Sequence, residues 1–260
     1  MKAIQFSAYG SYEALQLVDL DAPGLLDGQL LVKITIAAVN PVDITIRKGL
    51  IPAAKKPPMI LGNEAAGVVI KGNNEFEAGT RVIVSCFTPD GLIRGIMSDG
   101  TWQEYMALYP QELIKITDNV TDEEAAAFPV AFFSAQASLN KGDFNSSKTV
   151  LALAVGGAVG NAAVQLSRAY GSPLVITTAG SSEKAASARA AGFEHVIDLT
   201  QESISEGVLR ITAGKGIDLV VDSIGGDLTG EALRSLARNG ILVTIGYAAG
   251  TQFTDRKSVV

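Results

Sequence analysis

Small residues recur at every third position between residues 154 and 160, a spacing that suits phosphate binding. Ala154, Gly157 and Gly160 form the pattern A-x-x-G-x-x-G. In a turn from a strand to a helix, the first permits the tight turn, the second lets the backbone approach a pyrophosphate, and the third lets the helix pack on the strand. The N–H groups of Ala158 and Val159, at the helix start, add positive potential. We therefore predict a dinucleotide site here; the alternative is an ordinary glycine-rich turn of a parallel sheet.

A second set of candidate residues follows the next predicted strand, residues 174–178. In sites selective for NAD, an acidic side chain about 20 residues after the glycines binds the ribose 2′-hydroxyl. This strand ends without an acidic residue, whereas the hydroxyls of Ser181 and Ser182 and the ammonium of Lys184 would attract a 2′-phosphate. The pattern therefore predicts NADPH over NAD. The alternative is that Ser182 only caps the next helix and that Lys184 is solvated.

Alternating strands and helices must position these residues. Residues 149–154 form a short apolar run typical of a strand buried on both faces, and residues 158–170 have helical spacing. The other predicted strands are 174–178, 195–198, 217–222 and 241–245. The other predicted helices are 183–191, one that begins with the capping box from Ser203 to Glu206, and one that Asp227 caps and that runs to Ala237. This order predicts an α/β fold with a doubly wound parallel sheet of five strands. Folds of this type normally have six strands, so we expect the chain to be incomplete at its C-terminal end.

The first part of the chain is β-rich and predicts a small barrel or sandwich-like domain. Its predicted strands are 29–36, 65–71, 80–86, 101–108 and 112–116. A capping box from Thr121 to Glu124 then begins a short helix, which Pro129 is expected to stop. We therefore place two domains at residues 1–120 and 121–260.

Composition excludes several classes of function. The net charge is −6 without a basic cluster, which argues against nucleic acids and anionic membranes as partners. No apolar run reaches the roughly 20 residues of a membrane span. A single cysteine, Cys86, excludes an intrachain disulfide and a cysteine-rich zinc site. We expect a cytoplasmic protein that binds small molecules.

The order of motifs resembles the medium-chain dehydrogenase/reductase superfamily, in its zinc-free quinone oxidoreductase-like branch. The matching segments are residues 39–49, 62–69, 100–105, 154–160, 222–226 and 240–246. The resemblance implies a GroES-like catalytic domain followed by a Rossmann domain that binds NADPH, with the active site in the cleft between them. It also implies a possible homodimer and a longer chain, because relatives usually run several tens of residues further.

The resemblance also bears on metal binding. Zinc-dependent relatives carry Cys and His at the positions of Asn40 and Asn63, and a further Cys near Val130. Catalytic zinc needs three protein ligands of the thiolate, imidazole or carboxylate type. Because Cys86 and His195 are the only cysteine and histidine in the chain, we expect no metal.

The same resemblance implies hydride transfer from NADPH to a quinone or an α,β-unsaturated carbonyl. Asn40 would donate a hydrogen bond to the substrate or the nicotinamide ribose, and Asn63 would lie in the site. Asp43 and Glu64 would hold the site, with Arg47 paired to one of them; the alternative for Asp43 and Arg47 is a purely structural ion pair. Residues expected beside the adenine are Ser223 and Ile224, and those beside the nicotinamide are Gly246 and Tyr247. The remaining alternatives are a non-catalytic NADPH-binding scaffold and an enoyl-thioester reductase.

Overall fold

The computed structural model describes residues 1–254, and its contacts separate the chain into two units, Met1–Val130 and Ala131–Val260. The division falls ten residues beyond the predicted boundary at 120. Helix α2 (Asp122–Ala126) accounts for the difference, because it packs on strands of the first unit.

Antiparallel strands build the first unit in two sheets. The smaller sheet has the order β2-β1-β4, formed by Leu15–Asp19, Lys2–Phe6 and Met59–Ile60. The larger sheet has the order β7-β3-β5-β6-β8, formed by Tyr105–Leu108, Leu30–Ala37, Ala65–Lys71, Arg81–Val84 and Leu113–Lys115. Alternate residues of these strands, such as Leu30, Val32 and Val69, face one buried core.

A short helix in the first unit was not predicted. Helix α1 (Pro41–Arg47) begins after Asn40, with Pro41 in its first turn. The carboxylate of Asp43 accepts the N–H of Asn40 at 2.7 Å, which is half of a capping box. Proline at the first helical position and an acidic residue at the third are the signals that could have indicated this helix.

Parallel strands form the central sheet of the second unit, in the order β11-β10-β9-β12-β13. In chain order the strands are β9 (Val150–Ala152), β10 (Val175–Ala179), β11 (His195–Asp198), β12 (Ile217–Asp222) and β13 (Leu236–Thr244). Helices α4 (Ala158–Ala169), α5 (Ser182–Ala190), α6 (Ile204–Ile211) and α7 (Asp227–Arg234) follow the first four strands. This arrangement confirms the predicted doubly wound sheet of five strands. Within residues 1–254, no helix has the length and hydropathy required to span a bilayer.

Several predicted boundaries in this part of the chain were wrong. Pro129 lies in the first turn of α3 (Phe128–Lys141) and does not stop a helix, because the missing N–H of a proline costs nothing there. The last predicted helix ends at Arg234, and Ala237 already belongs to β13. The N-cap of that helix is Gly226, so Asp227 is its first residue and does not cap it.

Candidate functional site

The turn between β9 and α4 is tight, and a hydrogen bond to the neighbouring strand β10 fixes it. Ala154 adopts a left-handed conformation with φ of 62°, and its carbonyl accepts the N–H of Gly157 at 2.9 Å. The N–H of Ala154 donates to the hydroxyl of Thr178, also at 2.9 Å. A left-handed alanine is strained, so these bonds and the packing of the turn must hold it in place. Thr178 therefore positions the turn, a role that the sequence analysis did not assign to it.

The two glycines of the turn differ in the space around them. A Cβ atom at Gly160 would lie 2.2 Å from the carbonyl oxygen of Leu153 and 2.3 Å from that of Ala154. A Cβ atom at Gly157 would meet only the carbonyl oxygen of Ala154, at 3.4 Å. Gly160 thus lets the helix approach the strand, and Gly157 leaves the backbone open. The first N–H groups of α4, at Ala158, Val159 and Gly160, follow this open backbone and have no carbonyl partner within a regular helix.

The start of α5 lies beside this turn. The Cδ atom of Lys184 is 3.6 Å from the position that a Cβ of Gly156 would occupy. The hydroxyl of Ser181 accepts the N–H of Lys184 at 3.2 Å, so Ser181, and not Ser182, caps the helix. The structure therefore brings a lysine side chain to the glycine-rich turn.

Ser182 has partners that differ from the expected phosphate. Its hydroxyl donates to Oδ2 of Asp198 at 2.6 Å and lies 3.0 Å from the hydroxyl of Thr200. These hydroxyl donors, that of Ser182 first, hold the pKa of Asp198 below its usual value. The carboxylate comes from β11, the third strand of this unit in chain order, whereas the predicted site included only residues that follow the second strand.

The predicted adenine and nicotinamide residues lie together at the ends of β12 and β13. A Cβ atom at Gly246 would lie 2.4 Å from the carbonyl oxygen of Ser223, so these two backbones are in close contact. The side chain of Ile224 packs against the core, whereas Tyr247 is 60% exposed. Buried Asp222 fixes this loop, because its carboxylate accepts the N–H groups of Ile224 and Gly225 and the hydroxyl of Thr229.

In the first unit, Glu64 joins two of the three positions at which zinc-dependent relatives carry metal ligands. Its Oε1 accepts the side-chain amide of Asn40 at 2.9 Å, and its Oε2 accepts the N–H of Val130 at 2.6 Å. Both carboxylate oxygens are therefore satisfied in a buried position. Within residues 1–254, no cluster of three His, Cys, Asp or Glu side chains could hold a metal ion.

The predicted ion pair of Arg47 with Asp43 or Glu64 was wrong. The carboxylate of Asp43 accepts the backbone N–H groups of Asn40 and Gly62, at 2.7 and 3.1 Å. Arg47 is buried and forms no ion pair with any residue between 1 and 254. Backbone donors therefore satisfy Asp43 in the place of the guanidinium.

Asn63 depends on a buried ion pair that was not predicted. Its side-chain amide donates to the carbonyl oxygen of Arg94 at 2.6 Å. The guanidinium of Arg94 bonds to the carboxylate of Glu112, and both side chains are only 5% exposed. Burial lowers the pKa of Arg94 although the charge of Glu112 opposes this effect. Two charged residues 18 positions apart gave no sequence signal of this pairing.

Burial also shifts the pKa values of the carboxyl groups in this site. Desolvation raises the pKa of Glu64, against hydrogen bonds from Val130 and Asn40, and it raises the pKa of Asp43. A raised pKa means that the folded state binds the proton more tightly than the unfolded state. The contribution of these groups to stability is therefore fully present below their unfolded-state pKa values of about 4 and is lost as the pH rises through the folded-state pKa.

We expect the substitution Glu64→Gln to remove part of this pH dependence. The free energy of unfolding of the wild type relative to the variant should fall as the pH rises from about 4.5 to 7. Urea unfolding at several pH values measures this difference. The matched control is Glu77→Gln, an exposed carboxylate in the same unit. A wild-type-minus-variant difference that stays constant or rises with pH would contradict the burial of a charged Glu64.

The comparisons with known proteins agree with this geometry. Residues 26–118 match the alcohol dehydrogenase GroES-like domain, and residues 158–259 match the zinc-binding dehydrogenase family. The chain is 33% identical over 253 residues to a quinone oxidoreductase from Pseudomonas aeruginosa, and the match covers 96% of this chain and 74% of the relative. It is 30% identical over 251 residues to a chloroplastic NADPH-dependent alkenal/one oxidoreductase from Arabidopsis thaliana, covering 94% of this chain and 62% of that protein.

A solved structure supports the same assignment. The crystal structure of an NAD-dependent alcohol dehydrogenase matches with a TM-score of 0.85 and 30% sequence identity. The match covers all of this chain and 80% of the dehydrogenase chain. The chain thus spans between about three fifths and four fifths of these three relatives. The GroES-like match and the parallel sheet confirm the predicted architecture. The chain belongs to the medium-chain dehydrogenase/reductase superfamily, as a quinone oxidoreductase-like member.

Proposed function

We propose that this protein is an NADPH-dependent oxidoreductase that transfers hydride to a quinone or an α,β-unsaturated carbonyl without a metal ion. The observation that carries the proposal is the open turn at residues 154–160 with Lys184 beside it. Members of this superfamily bind a nicotinamide cofactor. The names of two relatives, a quinone oxidoreductase and an alkenal/one oxidoreductase, favour these acceptor classes.

The diphosphate of the cofactor would bind the first N–H groups of α4. These groups carry the positive end of the helix dipole, and the absence of a side chain at Gly157 allows close approach. The ammonium of Lys184 would bind the 2′-phosphate of NADPH. When bound, the cofactor supplies a hydride, and the protein supplies the position and the electrostatic environment.

Lys184→Ala should weaken NADPH binding by roughly tenfold, which corresponds to the loss of one charged contact to a phosphate. NADH, which lacks this phosphate, should lose less than twofold. Fluorescence titration of both nucleotides measures the two dissociation constants. The exposed lysine Lys141 provides the matched control Lys141→Ala. Equal weakening of NADPH and NADH would remove the assignment of Lys184 to the 2′-phosphate.

The first unit offers hydrogen bonds where zinc-dependent relatives would hold a metal. Amides and an apolar side chain occupy the positions of Asn40, Asn63 and Val130, and these groups are not ligands of catalytic zinc. Glu64 is already saturated by Asn40 and Val130. We therefore propose a reaction in which hydrogen bonding replaces a Lewis acid.

Quinones and conjugated carbonyls suit such a site because the acceptor itself delocalises charge. The hydride adds to a conjugated carbon, the electron pair moves to the carbonyl oxygen, and water then supplies a proton to the enolate or hydroquinone anion. The amide of Asn40 has two N–H groups, of which one donates to Glu64. We propose that the other donates to the developing oxyanion and that Glu64 orients the amide.

Asn40→Ala should therefore lower kcat by about 100-fold while KM changes much less, because the interaction forms mainly in the transition state. Asn40→Ser, which retains a donor on a shorter side chain, should retain more activity. Steady-state kinetics with a small enone measure both constants. A large rise in KM at unchanged kcat would place Asn40 in ground-state binding and contradict this role.

The overall proposal is tested by following NADPH oxidation with a panel of small quinones, enals and enones, in the presence and absence of a chelator. We expect turnover of at least one acceptor and no effect of the chelator. Turnover that the chelator abolishes would contradict the metal-free reaction. Tight NADPH binding without turnover of any acceptor would instead favour a non-catalytic NADPH-binding protein.

A further inference from the structure

Ser182 is fixed in an orientation that limits the hydrogen bonds it can offer to a ligand. Its hydroxyl proton points at Oδ2 of Asp198, at 2.6 Å, and the hydroxyl proton of Thr200 points at Oδ1, at 2.7 Å. The two hydroxyl oxygens are 3.0 Å apart. Because both protons face the carboxylate, the exposed Ser182 presents a lone pair to solvent and acts as an acceptor.

Asp198 places a negative charge beside Ser182, in a carboxylate that hydrogen bonds fix in position. Its side chain belongs to the last residue of β11, is 7% exposed, and also accepts the N–H of Thr200 at 2.9 Å. The hydroxyl donors lower the pKa of the carboxyl, so it is ionised at neutral pH. The start of α5 therefore has two groups with opposite effects on a bound phosphate. The ammonium of Lys184 would attract it, whereas Ser182, whose proton is donated to the carboxylate of Asp198, offers it only a lone pair.

Given the proposed dinucleotide site, we infer that Asp198 is a cofactor-selectivity residue that acts through Ser182. The end of the second strand is where the adenosine ribose lies in folds of this type. An acceptor hydroxyl there suits a ribose 2′-hydroxyl, which can donate a hydrogen bond, and does not suit a 2′-phosphate, which at neutral pH mainly accepts. Asp198 thus opposes the preference for NADPH that Lys184 creates, and the protein binds NADH as well.

The size of the effect follows from Coulomb's law. A carboxylate one hydroxyl away from a phosphate with a charge near −2 lies about 6 to 8 Å from it, and water at the rim screens the interaction. Removing the carboxylate charge should strengthen the binding of a 2′-phosphate roughly tenfold at low salt. The gain should shrink at about 0.5 M salt, because screening shortens the range of the repulsion.

Two pairs of probes isolate this effect in the full chain. NADPH is compared with NADH, and 2′,5′-ADP with 5′-AMP, since each pair differs only in the 2′-phosphate. In Asp198→Asn, we expect NADPH and 2′,5′-ADP to bind about tenfold more tightly, with NADH and 5′-AMP changed less than twofold. The control is Glu194→Gln, which removes an exposed charge next to the other end of β11 and should leave both ratios unchanged.

Ser182→Ala provides a second test, because this exposed side chain can be removed with little risk to folding. We expect NADH and 5′-AMP to bind several-fold more weakly in this variant, and NADPH to be nearly unaffected. If Asp198→Asn does not fold, as judged by thermal unfolding, this variant decides alone.

The outcomes separate this inference from the proposed function. If Asp198→Asn folds and binds all four probes with wild-type ratios, or if Ser182→Ala weakens NADH and NADPH equally, the selectivity role is overturned and the dinucleotide site stands. If the wild type binds none of the four probes, the dinucleotide site itself fails and the inference fails with it. A tenfold shift that disappears at high salt supports the role, whereas a shift that is independent of salt contradicts its electrostatic origin.

Discussion

Gly160→Ala should weaken nucleotide binding by about 100-fold or more and destabilise the second unit by about 3 kcal/mol. The added methyl group would lie 2.2 Å from one backbone oxygen and 2.3 Å from another, closer than any real contact. Neither oxygen belongs to a flexible side chain, so helix α4 must move away from β9. Such overpacking typically costs about 1–3 kcal/mol in well-packed cores. We expect a cost at the upper end of this range, because backbone groups move aside less easily than side chains.

In free energy, the effect on binding should be about as large as the effect on stability. The N–H groups that would bind the diphosphate belong to the part of α4 that must move. Binding that depends on their positions should weaken by about 100-fold or more, since displacement by about 1 Å is enough to lose such contacts. Urea unfolding and NADPH titration measure the two effects.

The control is Gly24→Ala, at a glycine whose added Cβ would meet no atom within 4 Å. This variant should unfold and bind NADPH like the wild type. A Gly160→Ala protein that also binds NADPH with wild-type affinity would contradict the assignment of the third glycine to close packing at a nucleotide site.

Glu112→Ala should destabilise the first unit by about 3–5 kcal/mol. The substitution leaves the guanidinium of Arg94 buried without a counter-charge, which is among the most costly changes in a protein interior. It also removes the acceptor of the Tyr109 N–H, which now bonds to Glu112 at 2.7 Å. Because the carbonyl of Arg94 holds Asn63, the candidate site should loosen as well.

The double variant Arg94→Met, Glu112→Leu shows whether the unpaired charge or the lost hydrogen bonds cause the destabilisation. If the cost comes from an unpaired charge, removing both charges should restore most of the stability, since replacing a buried pair by apolar residues is often neutral. Urea unfolding of both proteins gives the comparison. A double variant no more stable than Glu112→Ala would mean that the hydrogen bonds of Glu112, and not the charge, hold this region.

The sequence predicted those parts of the fold in which local pattern and burial agree. Strands β5, β11 and β12 begin and end where predicted, because each is an apolar run with clear boundaries on both sides. Helix α1 was missed because it is only seven residues long and rich in β-branched residues, which resemble a strand. The helix Phe128–Lys141 was not predicted, because Pro129 was taken to end a helix, although a proline at the start of a helix is favourable.

The candidate site was predictable only where backbone chemistry defines it. The A-x-x-G-x-x-G pattern indicates a turn, and the structure has the turn, the open glycine and the close-packed glycine. Side-chain partners from distant strands gave no such signal. Asp198 lies 16 residues from Ser182, and Arg94 lies 31 residues from Asn63, so only the folded chain shows these contacts. The wrong pairing of Arg47 has the same cause, since the N–H of Gly62, which donates to Asp43, lies 19 residues away in the sequence.

The central claim is that main-chain amides between residues 154 and 160 bind the diphosphate of NADPH. The most direct measurement is a titration of the isotope-labelled protein with NADPH, followed through the backbone ¹⁵N–¹H resonances. We predict that the resonances of Ala158, Val159 and Gly160 shift with the same saturation curve as the bound nucleotide. Saturable binding of NADPH that leaves these three resonances unchanged would contradict the account.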